Sequence, residues 1–196
     1  GLCGHAPSGN RLHPQVSLDS DQKLIRPTQV AMPTAMNILF LCTHNSARSI
    51  LAEACLNHLG GTRVRAFSAG SSPRENQKPH PLGLIALQKK GIATDALSSK
   101  HWDIFATADA PAMDVIVTVC DNAAGEVCPI WPGHPVSVHW GYADPSAVVG
   151  DAAAMQAAFD DTLSAINKRL TAMLDLPLSA LSGDALRRAL QALDHV

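Results

Sequence analysis

From Met36 onward the hydrophobic and polar positions follow two alternating periods. "NILFL" (37–41) is a short apolar run ended by polar residues, and "SILAEACLNHL" (49–59) places its apolar positions at helical spacing. After Gly60 and Gly61, "RVRAFS" (63–68) returns to a strand pattern, so this part of the chain reads β-α-β. "HPLGLIALQKKG" (80–91) predicts an amphipathic helix that stops at a lysine pair and Gly91. "DVIVTV" (114–119) is the β-branched run of a strand covered on both faces, and "VSVH" (136–139) is a shorter strand after a Pro-rich loop. A long Ala-rich amphipathic helix is expected over 151–174, and beyond Pro177 a last helical stretch near 183–193. The alternation implies an α/β fold, three layers α/β/α around a four-stranded parallel sheet, with ligands at the carboxyl ends of the strands.

The pattern also divides the chain. Residues 1–35 lack periodicity and lack the apolar core of a signal peptide, and they are rich in Pro, Ser, Gln and Gly, so they read as a loosely ordered tail or extension. Met36 is a candidate natural start. Residues 36–175 hold the expected catalytic domain and 176–196 a C-terminal helical extension, packed on the domain or offered to a partner.

With 196 residues and 46% hydrophobic composition, the chain has enough material for one core. A formal net charge of −2 and no block of Lys and Arg argue against nucleic acid as a partner. No apolar run approaches the roughly 18 residues of a membrane helix, so no membrane partner is expected either. Cysteines stand at 3, 42, 55, 120 and 128, an odd set without a secretion signal. That argues for a reducing, cytoplasmic setting with some reactive thiols rather than a disulfide framework.

These thiols change the picture at "FLCTHNSARS" (40–49), where Cys42 ends an apolar strand and Arg48 follows six residues later at the start of a helix. Between a strand and a helix, successive peptide N–H groups can curl into an anion-binding nest, to which the helix terminus adds partial positive charge. Thr43, His44, Asn45, Ser46, Ala47, Arg48 and Ser49 are therefore the candidate oxyanion-binding residues. Arg48 supplies a fork that matches two oxygens of a tetrahedral oxyanion. Cys42 at the mouth of the nest is expected as a thiolate, in the range of roughly 3.5 to 7.5 found for such cysteines. His44 either lowers that value further or points to solvent; the residues leave both open.

"LFLCTHNSARSILAEA", with "SAG" at 68–70 and "HWGYADP" at 139–145, resembles the low-molecular-weight protein tyrosine phosphatase superfamily, and most of all its arsenate reductase branch. The resemblance spans Met36 to about Leu174. It implies Cys42 as nucleophile, Arg48 as oxyanion ligand and Asp144 as general acid, with Asn45 and Ser49 shaping the nest. Read unaided, Asp144 before Pro145 is also an ordinary turn starter.

The segment "VTVCDNAAGEVCPIWPG" separates a reductase from a phosphatase, because a phosphatase needs one thiol. Cys120 is expected at the end of the third strand, on the sheet edge that carries Cys42, and Cys128 in a loop that reads as mobile. The resemblance then implies reduction of arsenate to arsenite through a Cys42–Cys120 disulfide, passed on to Cys120–Cys128 and reduced by thioredoxin or glutaredoxin. No tightly bound cofactor is implied; a monovalent cation near Glu53 is a possible accessory, although Glu53 on sequence is an ordinary solvated helix residue.

The alternatives are a low-molecular-weight tyrosine phosphatase hydrolysing phosphomonoesters and a non-catalytic oxyanion-binding module. Ser146 and Ala147 follow Pro145 where such phosphatases carry aromatic residues, which weakens the first; Cys42, Arg48 and Asp144 together weaken the second. Zinc held by Cys120, Cys128, His134 and His139 does not match the spacing of the usual knuckles, so no metal is expected. Cys55 reads as core.

Overall fold

The computed structural model describes residues 34–196. Residues 1–33, and with them Cys3 and nearly all of the expected tail, lie outside the described residues. Strand β1 (Met36–Cys42) runs into helix α1 (Arg48–Gly60), then strand β2 (Val64–Gly70) and helix α2 (Pro81–Lys89). Strand β3 (Val115–Thr118), a short helix α3 (Asp121–Gly125) and strand β4 (Val136–His139) follow. Helices α4 (Ala152–Leu174) and α5 (Gly183–Gln191) close the chain. The sheet has the order β2-β1-β3-β4 and every neighbouring pair is parallel.

Central position explains the continuous apolar run of β1. Ile38, Phe40 and Cys42 face one way, into a core shared with Leu51, Cys55, Phe159, Leu163, Ile166 and Leu190. Leu39 and Leu41 face the other way, onto Ala69, Trp102, Phe105, Met113, Ile116 and Trp131. A strand covered on both sides loses the two-residue alternation of a half-exposed one. The edge strand β2 keeps more of it: Arg65 stands outside while Val64 and Ala66 are buried.

The two outer layers differ in thickness. α1, α4 and α5 build the thick one, with α2 packed on α4. The thin one is a helical turn, Trp102–Phe105, and the loop that carries Trp131, with the two indoles edge to face at 6.3 Å. No periodicity marks that turn, because large aromatic side chains cover the sheet where a helical face would otherwise be needed.

In α4 the buried positions Phe159, Leu163, Ile166, Leu170 and Met173 are spaced four and three apart, and Asp151 caps the helix by accepting the Ala154 N–H at 2.8 Å. Leu186, Leu190 and Leu193 of the C-terminal stretch belong to the same core as β1. Among the described residues, no helix is long and apolar enough to cross a membrane.

Candidate active site

The carboxyl ends of β1 and β3 meet at a loop. Cys42 is the last residue of β1, Arg48 the first of α1, and five residues join them. Donors outside this stretch hold its carbonyls: Ser71 N–H on Cys42 (3.1 Å), Ser72 N–H on Thr43 (2.8 Å), the Ser99 hydroxyl on Asn45 (2.6 Å) and His80 N–H on Ser46 (2.8 Å). Every peptide bond here is trans, so a carbonyl held outward turns the following N–H inward. The inward N–H of Asn45 reaches Cys42 Sγ at 3.2 Å. No side chain caps α1 and its first turn holds no acidic residue, leaving its terminal N–H groups and their partial positive charge for an anion.

Asn45 fixes the loop's shape. Its φ of 51° lies in the left-handed region, which Asn tolerates better than most residues. The fully buried side chain donates through Nδ2 to Ser49 Oγ and to Ser68 Oγ, both at 2.9 Å, and accepts the Lys100 N–H at 2.8 Å. Gly70 is needed beside it, since a Cβ there would stand 2.6 Å from the Thr43 carbonyl oxygen. The "SAG" motif therefore contributes a hydrogen-bonding hydroxyl and a close backbone approach.

The directions of these hydrogen bonds follow from their ends. Ser68 donates its hydroxyl hydrogen to Glu53 Oε2, and carboxylates only accept. Ser68 Oγ then receives one hydrogen of the Asn45 amide and Ser49 Oγ receives the other. Ser49 is left with its own hydrogen for Cys42 Sγ, 2.8 Å away.

Glu53 is thus no solvated helix residue: its side chain is 13% exposed, and burial pushes its carboxyl above the usual range against the opposing pull of Lys100 and Ser68. Lys100 Nζ stands 3.7 Å from it. That ammonium already supplies the positive charge a monovalent cation would bring to Glu53, so the residues present do not fit an added one.

Arg48 and Asp144 come together, but not as an open fork. Arg48 donates through one terminal nitrogen to the Tyr142 carbonyl at 2.9 Å and places the other 3.4 Å from Asp144 Oδ2. Asp144 is at once a turn starter, its Oδ1 accepting from the Ser146 N–H (3.0 Å) and hydroxyl (2.7 Å). The turn reading of Asp144 is seen directly, and the same side chain stands beside Arg48 at the loop.

The expected lowering of the Cys42 thiol is not found in this arrangement. Cys42 is 5% exposed, and burial pushes its thiol up; Ser49 and the Asn45 N–H pull the other way and the nearby Cys120 adds to the rise. With its fork on Tyr142 and Asp144, Arg48 is not spending its charge on the sulfur. His44 points its Nδ1 at the Ser72 carbonyl, 3.0 Å away, so that nitrogen carries the hydrogen.

Cys120 lies two residues past β3 as the cap of α3, 2% exposed, with Sγ 3.6 Å from the Thr43 hydroxyl. Cys128 is exposed, between Val127 and Pro129. The structure therefore brings Cys42 and Cys120 to one loop and sets Cys128 apart. The Cys120–Cys128 segment, read as a mobile loop, begins as helix α3. At its start His139 bridges Thr118 Oγ1 (2.8 Å) and Asp121 Oδ1 (3.1 Å). Sequence reasoning missed Ser99 and Lys100, which carry no signal in "LSSKHW"; only the parallel bridge of Gly70 with His101 brings them to the loop.

The family described as low molecular weight phosphotyrosine protein phosphatase matches residues 37–189. A protein named arsenate reductase from Bacillus subtilis (strain 168) is 33% identical over 133 residues, covering 68% of this chain and 91% of that one. A second of the same name, from Brevibacillus brevis, is 36% identical over 115 residues, covering 59% of this chain and 81% of its own length. Among solved structures, an arsenate reductase from Archaeoglobus fulgidus superposes with a TM-score of 0.55 at 24% identity, over 71% of this chain and 99% of that one. A low-molecular-weight protein tyrosine phosphatase from T. tengcongensis does so with a TM-score of 0.55 at 18% identity, over 70% and 96%. At these identities the superpositions speak for a shared fold. The loop geometry, the family match over 37–189 and the B. subtilis relative lead to one statement: the chain belongs to the low molecular weight phosphotyrosine protein phosphatase family.

Proposed function

We propose that this protein reduces arsenate to arsenite, with Cys42 as nucleophile and Cys120 and Cys128 as a thiol relay. The observation that carries the reading is the second thiol at the loop: Cys120 is buried beside Thr43 while Cys128 is exposed. Phosphomonoester hydrolysis has no use for that pair. The relatives named arsenate reductase support the same choice.

The chemistry balances with the residues at hand. Arsenate enters the nest and draws on the inward N–H groups, the α1 terminus and Arg48, whose fork turns from Tyr142 and Asp144 to the oxyanion. Charge brought by that turn, added to the Ser49 hydroxyl, favours the Cys42 thiolate that burial alone opposes. The thiolate forms a bond to arsenic, and Asp144 protonates the departing oxygen, released as water. Cys120 thiolate then attacks Cys42 Sγ; the sulfur–arsenic bond breaks and its electron pair stays on arsenic, giving arsenite and a Cys42–Cys120 disulfide. Cys128 attacks Cys120, restores the Cys42 thiolate and leaves a Cys120–Cys128 disulfide. Two electrons from a dithiol protein, thioredoxin or glutaredoxin, complete the cycle.

The relay is tested by Cys128→Ser. Given arsenate and no reductant, this variant should release about one arsenite per chain and stop with Cys42 joined to Cys120, as read by peptide mass mapping. Cys120→Ser should release none by this route. A Cys42 still free after arsenite release would reject the relay in favour of an external thiol. NADPH consumption with thioredoxin and its reductase, beside glutathione with glutaredoxin and beside hydrolysis of an aryl phosphate, decides the coupling and the phosphatase alternative.

A further inference from the structure

The side chain that meets the least return for its burial is Arg169 on α4. It is 7% exposed, and among the described residues its Nε and one terminal nitrogen find no hydrogen-bond partner. A guanidinium this deep is held by what surrounds it. Its other terminal nitrogen donates to the Asp194 carbonyl at 2.9 Å and stands 3.8 Å from the Asp194 carboxylate. Its guanidinium carbon lies over the Tyr142 ring, 4.7 Å from the ring centre, and 5.7 Å from the centre of the Trp140 ring. Trp140, fully buried, donates its indole N–H to the Leu190 carbonyl at 3.0 Å.

Tyr142 is the link outward, because its carbonyl receives the Arg48 hydrogen bond and Asp144 follows two residues later. From the anchoring residues inward the path is Asp194, Arg169, Tyr142, Arg48, and in parallel Leu190, Trp140. Leu190 and Asp194 lie beyond the residues 37–189 that match the family, so this buttress is drawn from the chain's own C-terminal stretch.

We infer that the C-terminal segment from Gly183 to His195 is a clamp for the oxyanion-binding arginine, acting through Arg169 and Tyr142 as positioning residues. This rests on the reading of Arg48 as the oxyanion ligand. With the clamp in place, the Tyr142 carbonyl holds the Arg48 fork at the mouth of the loop, poised to swing a short way onto the oxyanion. Without it, the Trp140–Asp144 segment keeps its strand-end hydrogen bonds but loses the platform under Tyr142, and Arg48 samples more orientations before binding. Asp194 touches neither the loop nor its ligand, so an effect of its removal on binding must travel through this path.

The experiment measures how arsenate protects Cys42 from iodoacetamide, which gives an apparent Kd without turnover. Asp194→Ala should weaken protection about 3- to 10-fold in the wild-type background. In an Arg48→Lys background, where the fork that Tyr142 steadies is gone, the same change should add nothing. Asp194→Glu should recover the wild-type value. Equal weakening in both backgrounds, or unaltered protection by Asp194→Ala, overturns the clamp. Should Asp194→Ala fail to fold by circular dichroism, Asp194→Asn carries the same comparison, removing the charge while keeping the side chain's shape. Failure of arsenate to protect the wild-type protein would strike instead at the loop as an oxyanion site.

Discussion

Asp144 shows how one carboxylate serves two ends. Its Oδ1 starts a turn by accepting from Ser146, while its Oδ2 faces Arg48. Asp144→Asn keeps an oxygen for the turn and removes the proton that a leaving oxygen needs. Turnover with arsenate should fall roughly 10²- to 10⁴-fold while alkylation of Cys42 stays nearly unchanged, since the Ser49 and Asn45 contacts to the sulfur are untouched. Loss of both together would indicate a damaged loop. The residue scale is also where sequence reasoning did best and worst. Cys42 and Arg48 stand out by type and spacing, whereas Lys100 and Glu53 look like any surface charges until β2 and the 98–101 segment fold against α1.

Among the elements, α3 is the one that the proposed relay is expected to open. A helix of five residues rises about 7 Å from its cap, Cys120, before the chain continues to Cys128. A disulfide needs Cα atoms within about 7 Å, so opening of the helix is the expected route to the second exchange. Gly125 closes α3 with ordinary φ, and a Cβ there would meet nothing within 4 Å. Gly125→Ala should therefore stabilise α3 by about 0.5–1 kcal/mol. Rapid-quench mapping should then show the Cys42–Cys120 disulfide persisting longer, with the first arsenite released at the wild-type rate. A relay equally fast in this variant would mean that α3 need not open.

For the molecule as a whole, the junction of α5 with the segment Trp140–Tyr142 sets an alkaline limit. Tyr142 is the chain's one tyrosine, and burial pushes its phenol up to about 12, a rise that the Arg169 guanidinium only partly offsets. A raised value in the folded state contributes stability that is full below the ordinary phenol pKa of roughly 10 and lost as pH climbs from there through about 12. The buried thiols of Cys42 and Cys55, also pushed up by burial, act in the same direction. Ultraviolet titration should show no phenolate step near the ordinary value and a late one merging with unfolding. The unfolding free energy from denaturant titration should decline across that window by an amount on the order of 2 kcal/mol for Tyr142. A free phenolate step near the ordinary value would mean that Tyr142 is not packed under Arg169.

The chain's own pattern was enough to establish the order of the four strands and of α1, α2, α4 and α5, the parallel sheet and the place of the Cys42–Arg48 loop. Apolar periodicity and the strand-to-helix switch are local, and a short apolar run next to a helical one leaves few ways to bury both. It also placed α5, though not what α5 rests on. Only the tertiary structure decided that Arg48 faces Tyr142 and Asp144, that Glu53 is buried against Lys100, that Cys120 sits at the loop while Cys128 stays outside, and that the Cys42 thiol is pushed up rather than down. Each of those depends on groups far apart in sequence meeting at one edge of the sheet. Burial and the direction of a hydrogen bond belong to such meetings, and no single segment carries them.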